Sequence, residues 1–254
     1  MSSSISLPLY GAKSANSSLS GSSLQLPEYV RRFFQYPQMD IDYTLWQMLY
    51  LCIAPSRVYR TTKYHKQTKN QWARDDPAFV AIMVYFMAVS SLGYAIAFHK
   101  NISGFLKTIL YSVVVDFGLV GVLAATVGWY LANQYLRIES AGSHTTDQKV
   151  EWLYAFDVHC NSFFPFFILL YVLQYFLLLL FMREGYVSTF LANATYALAF
   201  GYYFYVTFLG YDVLPFLQHT TIFLYPIIGV ALTFLVTTLV KFNVCVFVMN
   251  SYFG

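Results

Sequence analysis

Residues 75–98 read DDPAFVAIMVYFMAVSSLGYAIAF. Two carboxylates and a proline precede an apolar run, Phe79–Phe98, that contains no charged side chain. Asp followed by Pro is a helix-start pattern: the carboxylate caps free amides, and proline suits the first helical position. About 20 apolar residues, at about 1.5 Å each, match the hydrocarbon thickness of a bilayer. The stretch is therefore expected to be a membrane-spanning helix.

Four further apolar runs follow it. They are about Phe105–Leu131, broken only by Lys107 and Asp116, then Phe163–Met182, about Ser188–Leu209, and Ile222–Val248, which carries Pro226 and Lys241. The whole composition agrees: of 254 residues, 58% are hydrophobic and 11% charged, with a mean hydropathy of +0.52. A soluble domain carries about 25% charged residues, so lipid must solvate much of this chain. Aromatics reach 20%, which suits helix packing and interfacial belts. The expected fold is an all-α integral membrane protein with about five transmembrane helices over 79–248.

Residues 1–26 are Ser-rich with Lys13 as their one charge, a composition that cannot bury enough surface to fold. They lack the basic start and apolar core of a signal peptide, so insertion is expected to begin at the first internal span. Within the following region, 27–78, Met39–Ala54 is apolar but too short to span. Ile41, Leu45, Met48, Leu49, Cys52 and Ile53 share a helical face, Asp40 and Asp42 favour its N-terminus, and Pro55 ends it. A short cytosolic amphipathic helix is expected there.

Topology follows from the positive charges. Lys13, Arg31, Arg32, Arg57, Arg60, Lys63, Lys66, Lys69 and Arg74 precede the first span, and a loop at about 132–162 adds Arg137 and Lys149. The opposite side holds Lys100 and Arg183. The positive-inside rule then makes the N-terminus cytosolic, and five spans make 249–254 a short lumenal C-terminus. Of the glycosylation sequons, the one at Asn16 is then cytosolic, that at Asn193 lies within a span, and that at Asn101 sits against the bilayer.

Three groups of residues are candidates for function. In the basic segment Arg57, Arg60, Lys63, Lys66 and Lys69 recur every third position, followed by Trp72 and Arg74. Such a segment suits anionic lipid, a cytosolic protein, or RNA stacked on the interleaved Tyr59, Tyr64 and Trp72. Asp116 lies within a span, where a carboxylate is costly; it reads as a proton or cation relay, a partner for Lys107 or Lys241, or a polar anchor between helices. Asp157, His159 and Asn161 form a polar motif at the membrane boundary. On a helix Asp157 and His159 point about 200° apart, which favours capping or interfacial hydrogen bonds over a metal site. The Tyr-rich stretch Gly201–Tyr211 reads as an interfacial belt, with a lipid or peptide groove as the alternative. Cys52, Cys160 and Cys245 form no CxxC or Cys/His cluster and read as small buried thiols. No nucleophile–base pair, P-loop or dinucleotide fingerprint is present, so neither catalysis nor a cofactor is expected.

Several strings also carry a family resemblance. Trp46-Gln-Met-Leu-Tyr-Leu51, Arg57-Val-Tyr-Arg60, Lys66-Gln-Thr-Lys69 and Gln71-Trp-Ala-Arg-Asp-Asp-Pro-Ala-Phe79 form one block. Tyr154-Ala-Phe-Asp-Val-His159 with Asn161, and Tyr205-Val-Thr-Phe-Leu-Gly-Tyr211 with Leu214-Pro-Phe-Leu217 and Leu224-Tyr-Pro226, form two more. Over about residues 29–230 they resemble the Unc-fifty family of eukaryotic membrane proteins. The resemblance implies a five-span protein of the Golgi or early secretory pathway that supports surface delivery of cargo such as nicotinic acetylcholine receptors. It further implies recruitment of a large Arf guanine-nucleotide exchange factor. An inner nuclear membrane location with RNA binding is the alternative it carries, and it assigns no catalytic residue.

Overall fold

The computed structural model describes residues 40–61, 72–74, 76–138 and 148–253. Helix α1 (Ile41–Ile53) opens on Asp40, whose Oδ1 accepts from the Tyr43 amide at 3.0 Å, and ends before Pro55. A second short helix, α2 (55–61), follows directly. Asp76 joins this region to the bundle: its Oδ2 accepts from the Asp40 amide and its Oδ1 from the Ala78 amide, both at 2.9 Å. The carboxylate expected to cap the first span thus also holds the start of α1.

Four helices are long and apolar enough to cross a membrane: α3 (Ala78–Ala97), α4 (Ile102–Tyr135), α5 (Trp152–Phe176) and α7 (Thr220–Leu239). Between α5 and α7 lies α6 (Tyr186–Asp212), whose 27 residues extend about 40 Å. Its length suffices, but Tyr196, Tyr202, Tyr203, Tyr205 and Tyr211 lower its apolarity below that of the other four. Burial offsets the loss. Ala192, Ala199 and Val206 recur every seventh residue and are fully buried, and the helix packs on both α5 and α7.

Helix α5 is the axis of the bundle. It starts at Trp152, close to where the later part of the 132–162 stretch is expected to turn helical, and the polar motif 157–161 lies in its first turns. Small residues let its neighbours approach closely. A Cβ on Gly121 of α4 would come within 2.6 Å of the His159 ring, and one on Gly210 of α6 within 2.7 Å of Val158. Pro165 interrupts α5, and the backbone widens to a π-helix over Ile168–Leu173. Helix α4 has a π-helical segment of its own, Tyr111–Leu119.

The last apolar run departs from the expectation of one span over Ile222–Val248. Helix α7 ends at Leu239, and the chain reverses into α8 (Val244–Phe253). Lys241 takes the left-handed conformation (φ 57°), and the Phe242 amide donates to the Thr237 carbonyl at 2.8 Å, a Schellman stop. Asn193 of α6 pins the reversal: its amide donates to the Phe242 carbonyl (2.9 Å), and its Oδ1 accepts from the Val244 amide (3.0 Å). A lysine in the middle of the run and a buried asparagine opposite it are what divide the hydrophobic stretch. Helix α8 then packs Cys245 and Met249 against Tyr94, Phe181 and Ala192, and Phe253 stacks on Phe98.

Candidate functional site

At the end of the bundle that carries Arg57, Arg60 and Arg74, hereafter the basic end, one polar knot ties α1, α2, residues 72–74 and α5 together. Asp157 and Asn161 are one helical turn apart on α5, so their side chains share a face. Both meet Arg74. The Arg74 amide donates to Asp157 Oδ2 at 2.6 Å, and its Nε lies 3.8 Å from Asp157 Oδ1. Its Nη2 donates to Asn161 Oδ1 and to the Asp157 carbonyl, its Nη1 reaches Gln47 Oε1 of α1 (3.5 Å), and the guanidinium lies over the Phe79 ring. Asn161 in turn donates to the Tyr59 hydroxyl of α2 at 3.4 Å. Burial pushes the Tyr59 phenol up, with the Asn161 contact opposing it, so the hydroxyl stays protonated.

This knot divides the basic segment. Arg57 and Arg60 are exposed on α2, Arg57 lying over the Tyr50 ring, while Val58 and Tyr59 between them are buried. Arg74 is taken up by Asp157. Trp72 is buried edge-on to Tyr154 and beside Phe216. Neither Trp72 nor Tyr59 is therefore open for stacking on a nucleic-acid base. Tyr64, Lys63, Lys66 and Lys69 lie outside the described residues.

Helix α1 contacts the bundle and also exposes apolar surface. Thr44, Gln47, Met48 and Leu51 are buried against it, whereas Leu49 is 56% and Ile53 71% exposed. The apolar residues read as one face are thus shared out. Met48 packs inward beside Gln47, whose Oε1 meets Arg74, and Leu45, Leu49 and Ile53 form an outward stripe. Cys52 is half-buried, and burial pushes its thiol up to about 11, which favours the protonated form at neutral pH. Cys160 and Cys245 are buried, and all three thiols are free.

His159 points away from Asp157, as their helical angle requires, and its Nδ1 meets the Tyr203 hydroxyl at 2.9 Å. Among the described residues, no three His, Cys, Asp or Glu side chains converge. Asn101 caps α4 with its side chain, accepting from the Gly104 amide, and Asn193 is buried, so both sequon asparagines serve the fold.

Asp116 lies on the π-helical segment of α4 and meets two phenols, not a lysine. Tyr171, on the π-helical segment of α5, donates to its Oδ2 at 2.6 Å; Tyr252 of α8 approaches both carboxylate oxygens at 2.8 Å. No ion pair with Asp116 is present among the described residues. Lys107 lies beside Tyr252 on its far side, and Lys241 is at the reversal. Sequence reasoning missed both phenols and the Arg74–Asp157 pair. The i, i+4 spacing of Asp157 and Asn161 was a usable signal for the pair. Nothing in the sequence pointed to Tyr252, because the turn at 240–243 was not recognised.

No solved structure matches the chain. The family model that does match, the UNC-50 family, covers residues 29–253. Among curated proteins, Protein unc-50 homolog of Dictyostelium discoideum is 55% identical over 230 residues, covering 90% of this chain and 88% of its own length. Protein unc-50 homolog of Drosophila melanogaster is 42% identical over 226 residues, with 89% and 80% covered, and that of Homo sapiens 42% over 200 residues, with 78% and 76%. With long apolar helices packed as an all-α bundle and a family match that runs from before α1 to the end of α8, this chain belongs to the UNC-50 family of membrane proteins.

Proposed function

We propose that the chain is a non-enzymatic trafficking factor of the Golgi and early secretory pathway, with its basic end in the cytosol as a recruitment surface. The partner is a large Arf guanine-nucleotide exchange factor, and the result is surface delivery of cargo such as nicotinic acetylcholine receptors. The observation that carries this reading is the alternation on α2: Val58 and Tyr59 are buried in the bundle while Arg57 and Arg60 face outward. Two cations are thereby held at fixed positions on a membrane protein, and fixed charges steer and orient a partner more than they strengthen binding. The exposed stripe of α1 supports the same reading, because Leu45, Leu49 and Ile53 suit the headgroup boundary and would set the height of α2 above the membrane.

The test is Arg57→Glu with Arg60→Glu in cells that lack the endogenous protein. Golgi-localised variant with the exchange factor displaced to the cytosol is the expected result. Undiminished recruitment by a correctly localised variant would remove the basis for the proposal.

A further inference from the structure

A cavity of about 480 Å³ lies inside the bundle beside Asp116, a size usual for small-molecule sites. Its walls are largely aromatic and aliphatic, including Phe163 and Phe166 of α5 and Phe200 and Phe204 of α6. It lies between α4 and α6, where Val120 and Phe200 line it and are themselves 46% and 41% exposed. Those residues are on the lipid-facing flank of two long helices, so the cavity opens sideways toward the bilayer.

Two polar groups of the cavity, Asp116 and Gln174, leave hydrogen-bond acceptors free, and His159 Nε2, which lines it too, is also buried without a partner. Asp116 has a carboxylate with about four lone-pair sites, three of which are approached by the Tyr171 and Tyr252 hydroxyls. No lysine or arginine lines the cavity. Gln174, 1% exposed and also lining it, has its Oε1 buried without a hydrogen-bond partner. A carboxylate without a counter-charge and an orphaned carbonyl oxygen call for a ligand that brings donors and positive charge. The surrounding rings favour the same partner, since a cation is attracted to aromatic faces.

We propose that this cavity binds a single-chain amphiphile with a protonated primary amine, its head on Asp116 and Gln174 and its chain along Phe163, Phe166, Phe200 and Phe204. An ammonium has three donors and no acceptor, which matches the free valences. Entry is from the bilayer. On the other side of Tyr252 lies a polar vestibule that contains Lys100 and Lys107, and those cations oppose the approach of an amine from that end. Tyr252 and Thr108 line both spaces, so α8 forms the partition between them.

The experiment uses the full chain in phosphatidylcholine nanodiscs with a photoactivatable, alkyne-bearing sphingosine as probe. Labelled peptides are expected within 163–174 and 196–204. Unlabelled sphingosine should compete, whereas N-acetyl-sphingosine, with the same chain and a neutral amide, should compete at least about tenfold less well. Asp116→Asn should lower labelling by about the same factor at an unchanged melting temperature. Equal competition by the neutral amide would overturn the proposal, as would wild-type labelling of an intact Asp116→Asn variant. Should that variant melt early, the competition on the wild-type chain decides alone.

Discussion

Asp157 at the basic end faces a guanidinium, whereas Asp116 deeper in the bundle faces two phenols. Both are carboxylates on long apolar helices, and both accept hydrogen bonds from neighbouring segments. They differ in charge balance. Arg74 cancels the charge of Asp157 and spends its other donors on Asn161, Gln47 and a backbone carbonyl, so that site is closed and holds segments in place. Asp116 has donors but no compensating cation, and a cavity lies beside it. A balanced buried charge serves architecture, and an unbalanced one beside open space is suited to binding.

The largest effect should come from unbalancing the closed site. Asp157→Asn leaves the Arg74 guanidinium partly buried without a counter-charge, a change that costs about 3–5 kcal/mol when a buried pair is broken. Thermal unfolding of the detergent-purified protein measures it. A loss under about 1 kcal/mol would mean that solvent screens the pair, and the contrast between the two aspartates would collapse. A smaller loss, about 1–3 kcal/mol, is expected for Asn193→Ala, which leaves the Phe242 carbonyl and the Val244 amide unpaired at the reversal. Because that reversal aims α8, the variant should also expose Tyr252 to limited proteolysis; protection equal to wild type would show that α8 holds its place without Asn193.

Asp116→Asn should be milder still, within about 1 kcal/mol. The amide oxygen still accepts from a phenol, and removing an uncompensated charge from a low-dielectric site offsets what the weaker hydrogen bonds lose. A loss as large as that of Asp157→Asn would make Asp116 a structural residue like its counterpart. At the bottom of the series, Arg57→Glu with Arg60→Glu should change stability by no more than about 0.5 kcal/mol, as for surface positions generally. That margin separates the recruitment test from any effect on folding.

Much of the architecture was legible because lipid imposes a simple requirement. Apolar length at helical rise located α3, α4, α5 and α7, and Asp-Pro marked where the first begins. The reading of 222–248 as one span failed because composition does not register a turn made by Lys241 and pinned by Asn193, about fifty residues away in sequence. Candidate residues were legible one at a time and not as pairs. Asp116 was identified by its depth, but its phenol partners depend on two π-helical segments and the return of α8. Arg74 and Trp72 read as members of the basic segment because position along the chain groups them with its cations. Burial then separates them: a chain that crosses 83 residues of sequence to pair Arg74 with Asp157 has removed it from the surface.

The contact between Tyr252 and Asp116 spans 136 residues. During synthesis α4 therefore enters the bilayer long before its second phenol has been made. For that interval the carboxylate relies on Tyr171 once α5 arrives, on water, or on another protein in the membrane. Completion of this site is thus a late event in biogenesis, and it reports that α6, α7 and the turn after them have all been laid down in order. A ribosome stalled before residue 244 would leave a bundle with its spans in place and an acid still waiting in its interior.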